Sequence, residues 1–211
     1  MIDGNASGNR RHILHEFPWL QALSQVPQDP EYHGEGDVLT HTWMVVDELS
    51  QLPAWQILPH EEQSLLFMAA LFHDIGKEPC TQMGEDGRFH APHHAKVGAQ
   101  MIREKMFSLP IHTRENLVQL VRYHGLPLWF FEKPDPERAV ITASWHIRLD
   151  WVALLAEADV RGRICPDQPE LLERIEIFRQ YATELKCYTQ PLPFANAHTL
   201  PLFSERPSPS D

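Results

Sequence analysis

Apolar residues recur at spacings of three and four through most of this chain, and in four segments the stripe that should face a core also carries an ionisable side chain. Val38, His41, Thr42, Val45, Val46 and Leu49 form the first stripe, after the N-cap residue Asp37. His94, Val97, Gly98, Met101 and Ile102 form the second, after Pro92, and Leu117, Leu120, Val121 and His124 the third, from about Thr113. The fourth, Trp145, Leu149, Val152, Ala156 and Asp159, lies within one helix expected from about Arg138 to Val160. A buried imidazole or carboxylate without a partner costs several kcal/mol, so it is placed on an apolar face only when hydrogen-bonded or bound to metal. His41, His94, His124 and Asp159 therefore need a common explanation.

The remaining segments are helical as well. From about Pro59 to Ile75 the chain is apolar nearly all round, at Leu65, Leu66, Phe67, Met68, Ala69, Ala70, Leu71 and Phe72, which reads as a helix at the centre of the core with Gly76 as its C-cap. An amphipathic helix from about Pro169 to Lys186, with Leu172, Ile175, Ile177 and Phe178, should cover the outside of the bundle. No internal repeat and no alternating strand pattern occurs, so the expected class is all-α. Residues 1–16 read as an irregular polar segment and residues 191–211 as a tail, broken by Pro191, Pro193, Pro201, Pro207 and Pro209. The folded unit is then residues 17–190, and a hydrophobic content of 43% supports one core.

Several function classes are disfavoured at this stage. No run of eighteen apolar residues and no signal-like N-terminus is present, and Cys80, Cys165 and Cys187 form no C-x-x-C pair. A cytoplasmic protein without a membrane span or structural disulfides is expected. The net charge of −11 argues against binding a long duplex, whose phosphates need a basic groove, but leaves a small nucleotide or a strand end as ligand.

The adjacent His73 and Asp74 add two more donors, pointing about 100° apart on a helix and able to flank one ion, with Asp74 also able to bridge two. Imidazoles and carboxylates together suit a divalent transition metal, Mn²⁺, Fe²⁺, Co²⁺, Ni²⁺ or Zn²⁺, whereas calcium would take more oxygens. Each residue has a plainer explanation when taken alone. A single histidine on an apolar face is more often bonded to a backbone carbonyl, and Asp159 could pair with Arg161 or Arg163. His93, one position off its stripe, should lie at the surface or just outside the cluster, while His33, in the turn before the first stripe, could reach the mouth of the site. Trp19, Trp129 and Trp151 are expected to pack in the core; a platform for a base would need one of them at the cleft.

The string LFHDIGK at residues 71–77, with His41 before it in LTHT and Asp159 after it in LLAEADVRGR, resembles the HD-domain superfamily of metal-dependent phosphohydrolases. Residues 27–49, PQDPEYHGEGDVLTHTWMVVDEL, with RYHGLPLW at 122–129 and EADVRGR at 157–163, are similar to two HD modules. One is that of CCA-adding tRNA nucleotidyltransferases; the other belongs to bacterial HD phosphohydrolase–polynucleotide kinase enzymes of RNA repair. The resemblance implies a helical bundle with a metal site in its core. His41, His73, Asp74 and Asp159 would hold one ion, and His94 and His124, with Asp74 bridging, a second. It also implies hydrolysis of 2′,3′-cyclic phosphates and of 2′- or 3′-monophosphates on nucleotides or RNA 3′ ends. No G-x-x-x-x-G-K-S/T motif is present, so a kinase partner would be separately encoded.

In such a site metal ions would activate a water and polarise the phosphoryl group. Lys77, four residues after His73, could place its ammonium on the phosphate, and Arg161 or Arg163 could contact it in bidentate fashion. Three competitors stand beside this reading. They are a 5′-nucleotidase or dinucleoside-polyphosphate hydrolase, a di-iron oxygenase built on the same ligands, and a non-catalytic domain in which the ion is structural.

Overall fold

The computed structural model describes residues 6–191. Helix α2 (Val38–Gln51) starts where its cap dictates, Asp37 accepting from the backbone N–H of Thr40 at 2.9 Å. In chain order the helices are α1 (Ala6–Glu16), α2, α3 (Pro53–Gln56), α4 (His60–Phe72), α5 (Lys77–Cys80), α6 (His94–Lys105), α7 (Ile111–Tyr123), α8 (Leu126–Trp129), α9 (Pro136–Ser144), α10 (Leu149–Arg161) and α11 (Gln168–Glu184). Short 3-10 turns span Pro18–Gln25 and Phe130–Glu132, and one antiparallel ladder pairs β1 (Gln82–Met83) with β2 (Phe89–His90). The fold is an all-α bundle.

Two apolar clusters meet on α10. Val152, Leu155 and Ala158 on one of its faces join α2, α4, α6 and α7 in the larger cluster. Leu149, Ala153, Ala156 and Val160 on the other face join α8, α9 and α11 in the smaller. Helix α4 lies in the middle of the larger cluster, as its all-round apolarity requires, with Leu66, Ala69, Ala70 and Phe72 fully buried.

Four expectations are corrected. The segment 1–16 is helical from Ala6 to Glu16 rather than irregular. It is held by tertiary contacts rather than propensity: Ile13 and Leu14 pack against the core, and Arg10 lies over the Trp43 ring and pairs with Asp47. The single helix expected over 138–160 is two helices, broken at residues 145–148. Ala143, Ile147 and Leu149 are buried while Trp145 is 41% exposed, a burial pattern that one continuous helix could not produce. Arg148 takes an extended conformation and pairs with Asp150 and Glu62, which fixes the corner. Gly76 does not cap α4, which ends at Phe72; its φ of −69° is right-handed, and it opens α5 instead. On α11 the buried face is Leu171, Ile175, Phe178 and Ala182, with Ile177 turned outward. The tail expected over 191–211 lies outside the described residues, apart from Pro191.

Candidate metal centre

Five elements converge on one point. Helix α2 brings His41, the turn after α4 brings His73 and Asp74, and α6 begins with His94. His124 follows the last residue of α7, and Asp159 stands in the last turn of α10. Three of the four imidazoles are anchored identically, Nδ1–H donating at 2.8 Å to the carbonyl three residues earlier: His73 to Ala70, His94 to Ala91 and His124 to Val121. A carbonyl can only accept, so Nδ1 carries the proton and Nε2 presents a lone pair. His41 is anchored instead through Glu35, whose Oε1 lies 2.9 Å from its Nδ1.

The four Nε2 atoms face one another in pairs, His41 and His73 at 3.4 Å and His94 and His124 at 3.5 Å. Carboxylate oxygens share the space. Asp159 Oδ1 is 3.1 Å from His41 Nε2, Asp74 Oδ2 is 3.2 Å from His73 Nε2, and Asp74 Oδ1 is 3.4 Å from His94 Nε2. Lone pairs and anionic oxygens this close repel unless a proton or a metal cation lies among them, and anchored imidazoles with carboxylates are the donor set of a divalent transition metal. The donors sort into two groups, His41, His73 and Asp159, and Asp74, His94 and His124, the atoms of each lying within 4.8 Å of one another.

The electrostatics agree. Burial tends to raise the Asp74 and Asp159 carboxyls, yet both are held well below the usual range, Asp74 by Lys77 and His73 and Asp159 by Arg163 and His41. Burial pushes His124 down to about 3, with the neighbouring His73 adding to it, so its imidazole stays neutral and available as a donor. Burial also lowers His41, but its bonds to Asp159 and Glu35 prevail and raise it, the mark of a place that favours positive charge.

The candidate side chains outside these groups separate. Lys77 Nζ is 2.7 Å from Asp74 Oδ2 and donates to Gln28 Oε1 at 2.7 Å, so it is a held residue of the site rather than a solvated loop lysine. Arg163 grips Asp159 in bidentate fashion, Nε to Oδ1 at 3.0 Å and Nη2 to Oδ2 at 2.6 Å, and lines the cavity above the cluster. Arg161 is a correction: it pairs with Glu157, four residues earlier, and is absent from the cavity lining. His93 is exposed, with a left-handed φ of 63°. His33 lines the cavity and packs its ring 4.8 Å from that of His41.

Sequence reasoning missed Glu35. Its side chain is 1% exposed and accepts from His33 Nδ1 at 2.8 Å, His41 Nδ1 at 2.9 Å and the Ile164 N–H at 2.8 Å. These bonds hold its carboxyl well below the usual range although burial opposes them. The signal was a carboxylate between two glycines six residues before His41, in a turn whose facing no periodicity reveals.

A cavity of about 1000 Å³ opens above the cluster, lined on one side by Asp74, Lys77, His94 and His124. Comparison with known proteins gives this arrangement its family. The model of the HD domain matches residues 38–144, about half of the 211 residues. Three relatives, each named Multifunctional CCA protein, are similar to it. That of Hahella chejuensis is 32% identical over 72% of this chain and 35% of its own length. For Ralstonia nicotianae the values are 31%, 79% and 38%, and for Mannheimia succiniciproducens 28%, 82% and 42%. The chain thus spans less than half the length of these curated relatives. With the matched segment containing His41, the His73–Asp74 pair, His94 and His124, the chain belongs to the HD-domain family.

Proposed function

We propose that the chain is a metal-dependent phosphohydrolase acting on nucleotides or RNA ends, as a 2′,3′-cyclic phosphodiesterase and a 2′- or 3′-phosphomonoesterase. His41, His73, Asp74 and Asp159 hold one divalent transition-metal ion in this reading, and Asp74, His94 and His124 a second. The observation that carries it is the double facing of Asp74, with Oδ2 toward His73 and Oδ1 toward His94. Divalent ions bound there supply Lewis acidity toward the phosphoryl oxygens and toward water. The protein supplies position. Lys77 presents a cation at the cavity floor beside Asp74, where an entering phosphate needs its charge balanced. Arg163 fixes both oxygens of Asp159, and the buried surroundings of the cluster strengthen each of these interactions relative to water.

The test joins elemental analysis of the purified protein to phosphate release from 2′,3′-cyclic, 2′-, 3′- and 5′-nucleotides and dinucleoside polyphosphates, with Mn²⁺, Co²⁺, Ni²⁺ or Zn²⁺. Near two metals per chain, release from the 2′ or 3′ position and its loss in Asp74→Asn are expected. Release confined to 5′-nucleotides or dinucleoside polyphosphates would replace the substrate assignment. Bound iron with oxygen consumption and no phosphate release would replace the reaction class.

A further inference from the structure

The cavity extends well past the His/Asp cluster. At about 1000 Å³ it stands at the top of the range that encloses a drug-sized ligand, more than one phosphate and its sugar require. Its cations are not equivalent. Lys77, Arg163 and Arg88 each hold a carboxylate partner, Asp74, Asp159, and Asp29 with Glu31. Arg122, Lys133 and Arg138 line the same cavity and make no ion pair among the described residues. In a chain of net charge −11, three cations outside any ion pair among the described residues concentrate positive charge on one cleft, whose lining also carries Asp135 and Asp167; the Arg122 guanidinium lies 5.7 Å from the Tyr123 ring centroid. Asp135, which also lines this wall, is engaged in capping α9, its side chain accepting from the Arg138 N–H at 2.9 Å.

Trp129 lines the same cavity. The flanking Leu126, Pro127, Leu128 and Phe130 are buried, whereas the indole is 40% exposed and lines the cavity. Its ring is backed by Arg174, whose guanidinium lies 5.1 Å from the ring centroid and is itself tied to the Leu128 carbonyl at 3.2 Å and to Glu170 at 3.0 Å. An aromatic ring held in place with open surface, in a cavity also lined by cations outside ion pairs, is the composition that stacks a base and tracks a phosphate backbone without reading sequence.

We infer that Arg122, Trp129, Lys133 and Arg138 form a binding wall for the single strand leading to the reacting end, with a base on Trp129 and its neighbouring phosphates on the three cations. Arg122 and His124 line the same cavity, which connects the wall to the candidate metal centre. The inference rests on the phosphohydrolase reading for what happens at that end, but the binding itself does not depend on turnover.

The experiment measures fluorescence anisotropy of a 5′-labelled pentaribonucleotide with a free 3′ hydroxyl, titrated with the full chain at several salt concentrations. Wild type should show a slope of log affinity on log salt near about −2, three contacts at roughly 0.7 each. The triple variant Arg122→Ala, Lys133→Ala, Arg138→Ala should flatten that slope toward zero. Trp129→Ala should weaken binding roughly 5- to 150-fold, and Trp129→Phe should recover most of it, because a stacking face is restored. Since all four side chains are exposed, unchanged thermal unfolding is expected in each variant. With a 3′-phosphorylated pentamer, the kcat/KM preference over a 3′-mononucleotide should fall toward one in the triple variant. Pentamer binding untouched by the triple variant, or no tighter than that of a mononucleotide, would overturn the wall. Salt-dependent binding lost in the triple variant, with no phosphate released from any ester, would uphold the wall and remove the phosphohydrolase reading instead.

Discussion

Gly76→Ala is the sharpest perturbation of the link between packing and the metal centre. A Cβ at this position would lie 2.0 Å from the His94 carbonyl oxygen, 2.6 Å from the Gly98 nitrogen and 2.8 Å from the His94 carbonyl carbon. Because the φ of Gly76 is −69°, alanine meets no backbone strain and the whole cost is collision. Carbon contacts settle near about 3.5 Å, so the first turn of α6 must retreat by more than about 1 Å. Its backbone cannot swing aside as a long side chain would. Overpacking of this kind costs roughly 1–3 kcal/mol, and a collision with backbone belongs at the upper end. The same retreat draws His94 Nε2 away from Asp74 Oδ1, now at 3.4 Å, and from His124 Nε2, now at 3.5 Å. Urea unfolding followed by tryptophan fluorescence should show a loss of at least about 2 kcal/mol, and elemental analysis should show reduced metal content. Gly125→Ala is the control: its Cβ would meet only Trp129 Cδ1, at 3.7 Å, and it should be neutral or slightly stabilising. A Gly76→Ala protein as stable and as metal-loaded as wild type would refute the reasoning.

Two further outcomes follow from the same geometry. Glu35→Gln keeps the volume but gives up the carboxylate that orients His41 and His33; divalent-metal affinity measured by chelator competition should fall roughly 10- to 100-fold, and an unaltered affinity would remove Glu35 from the site. Burial lowers His33 to about 4 and His124 to about 3, so between pH 6.5 and those values the unfolded chain binds protons that the folded one does not. The contribution of these two histidines to the stability of the chelated protein should therefore be fully present above pH 6.5 and decline on acidification, by up to about 1.4 kcal/mol per pH unit for each histidine. His41, raised rather than lowered, acts in the opposite sense, its contribution being lost as pH rises above the ordinary histidine value. Urea midpoints that stay flat from pH 6.5 to 4.5 would contradict this.

What could be read from residue order and what could not divide along a physical line. His41, His124 and Asp159 were legible because a helix fixes where each residue faces, and an apolar stripe through the position reports burial. The separate fates of Arg161 and Arg163 obey the same rule, since each pairs with the carboxylate four residues before it, Glu157 and Asp159. The break at 145–148 was hidden because no glycine, proline or Asx residue marks it; its cause is a distant partner, Glu62 on α4, holding Arg148. Helix α1 was hidden because its hold is the tertiary contact of Ile13, Leu14 and Arg10. Glu35 lies in a turn, where period says nothing about facing, and only the approach of α2 to the Gly162–Ile164 turn closes around it. The cavity wall is a stronger case. Arg122, Trp129, Lys133 and Arg138 come from the end of α7, from α8, from the residue after the second 3-10 turn and from α9, and each reads singly as a solvated or packing residue. The candidate donors carried by helices are thus written in periodic segments, while the lining of the cleft comes largely from short elements and the segments between helices, where composition shows charge and only the fold shows whether that charge has a partner.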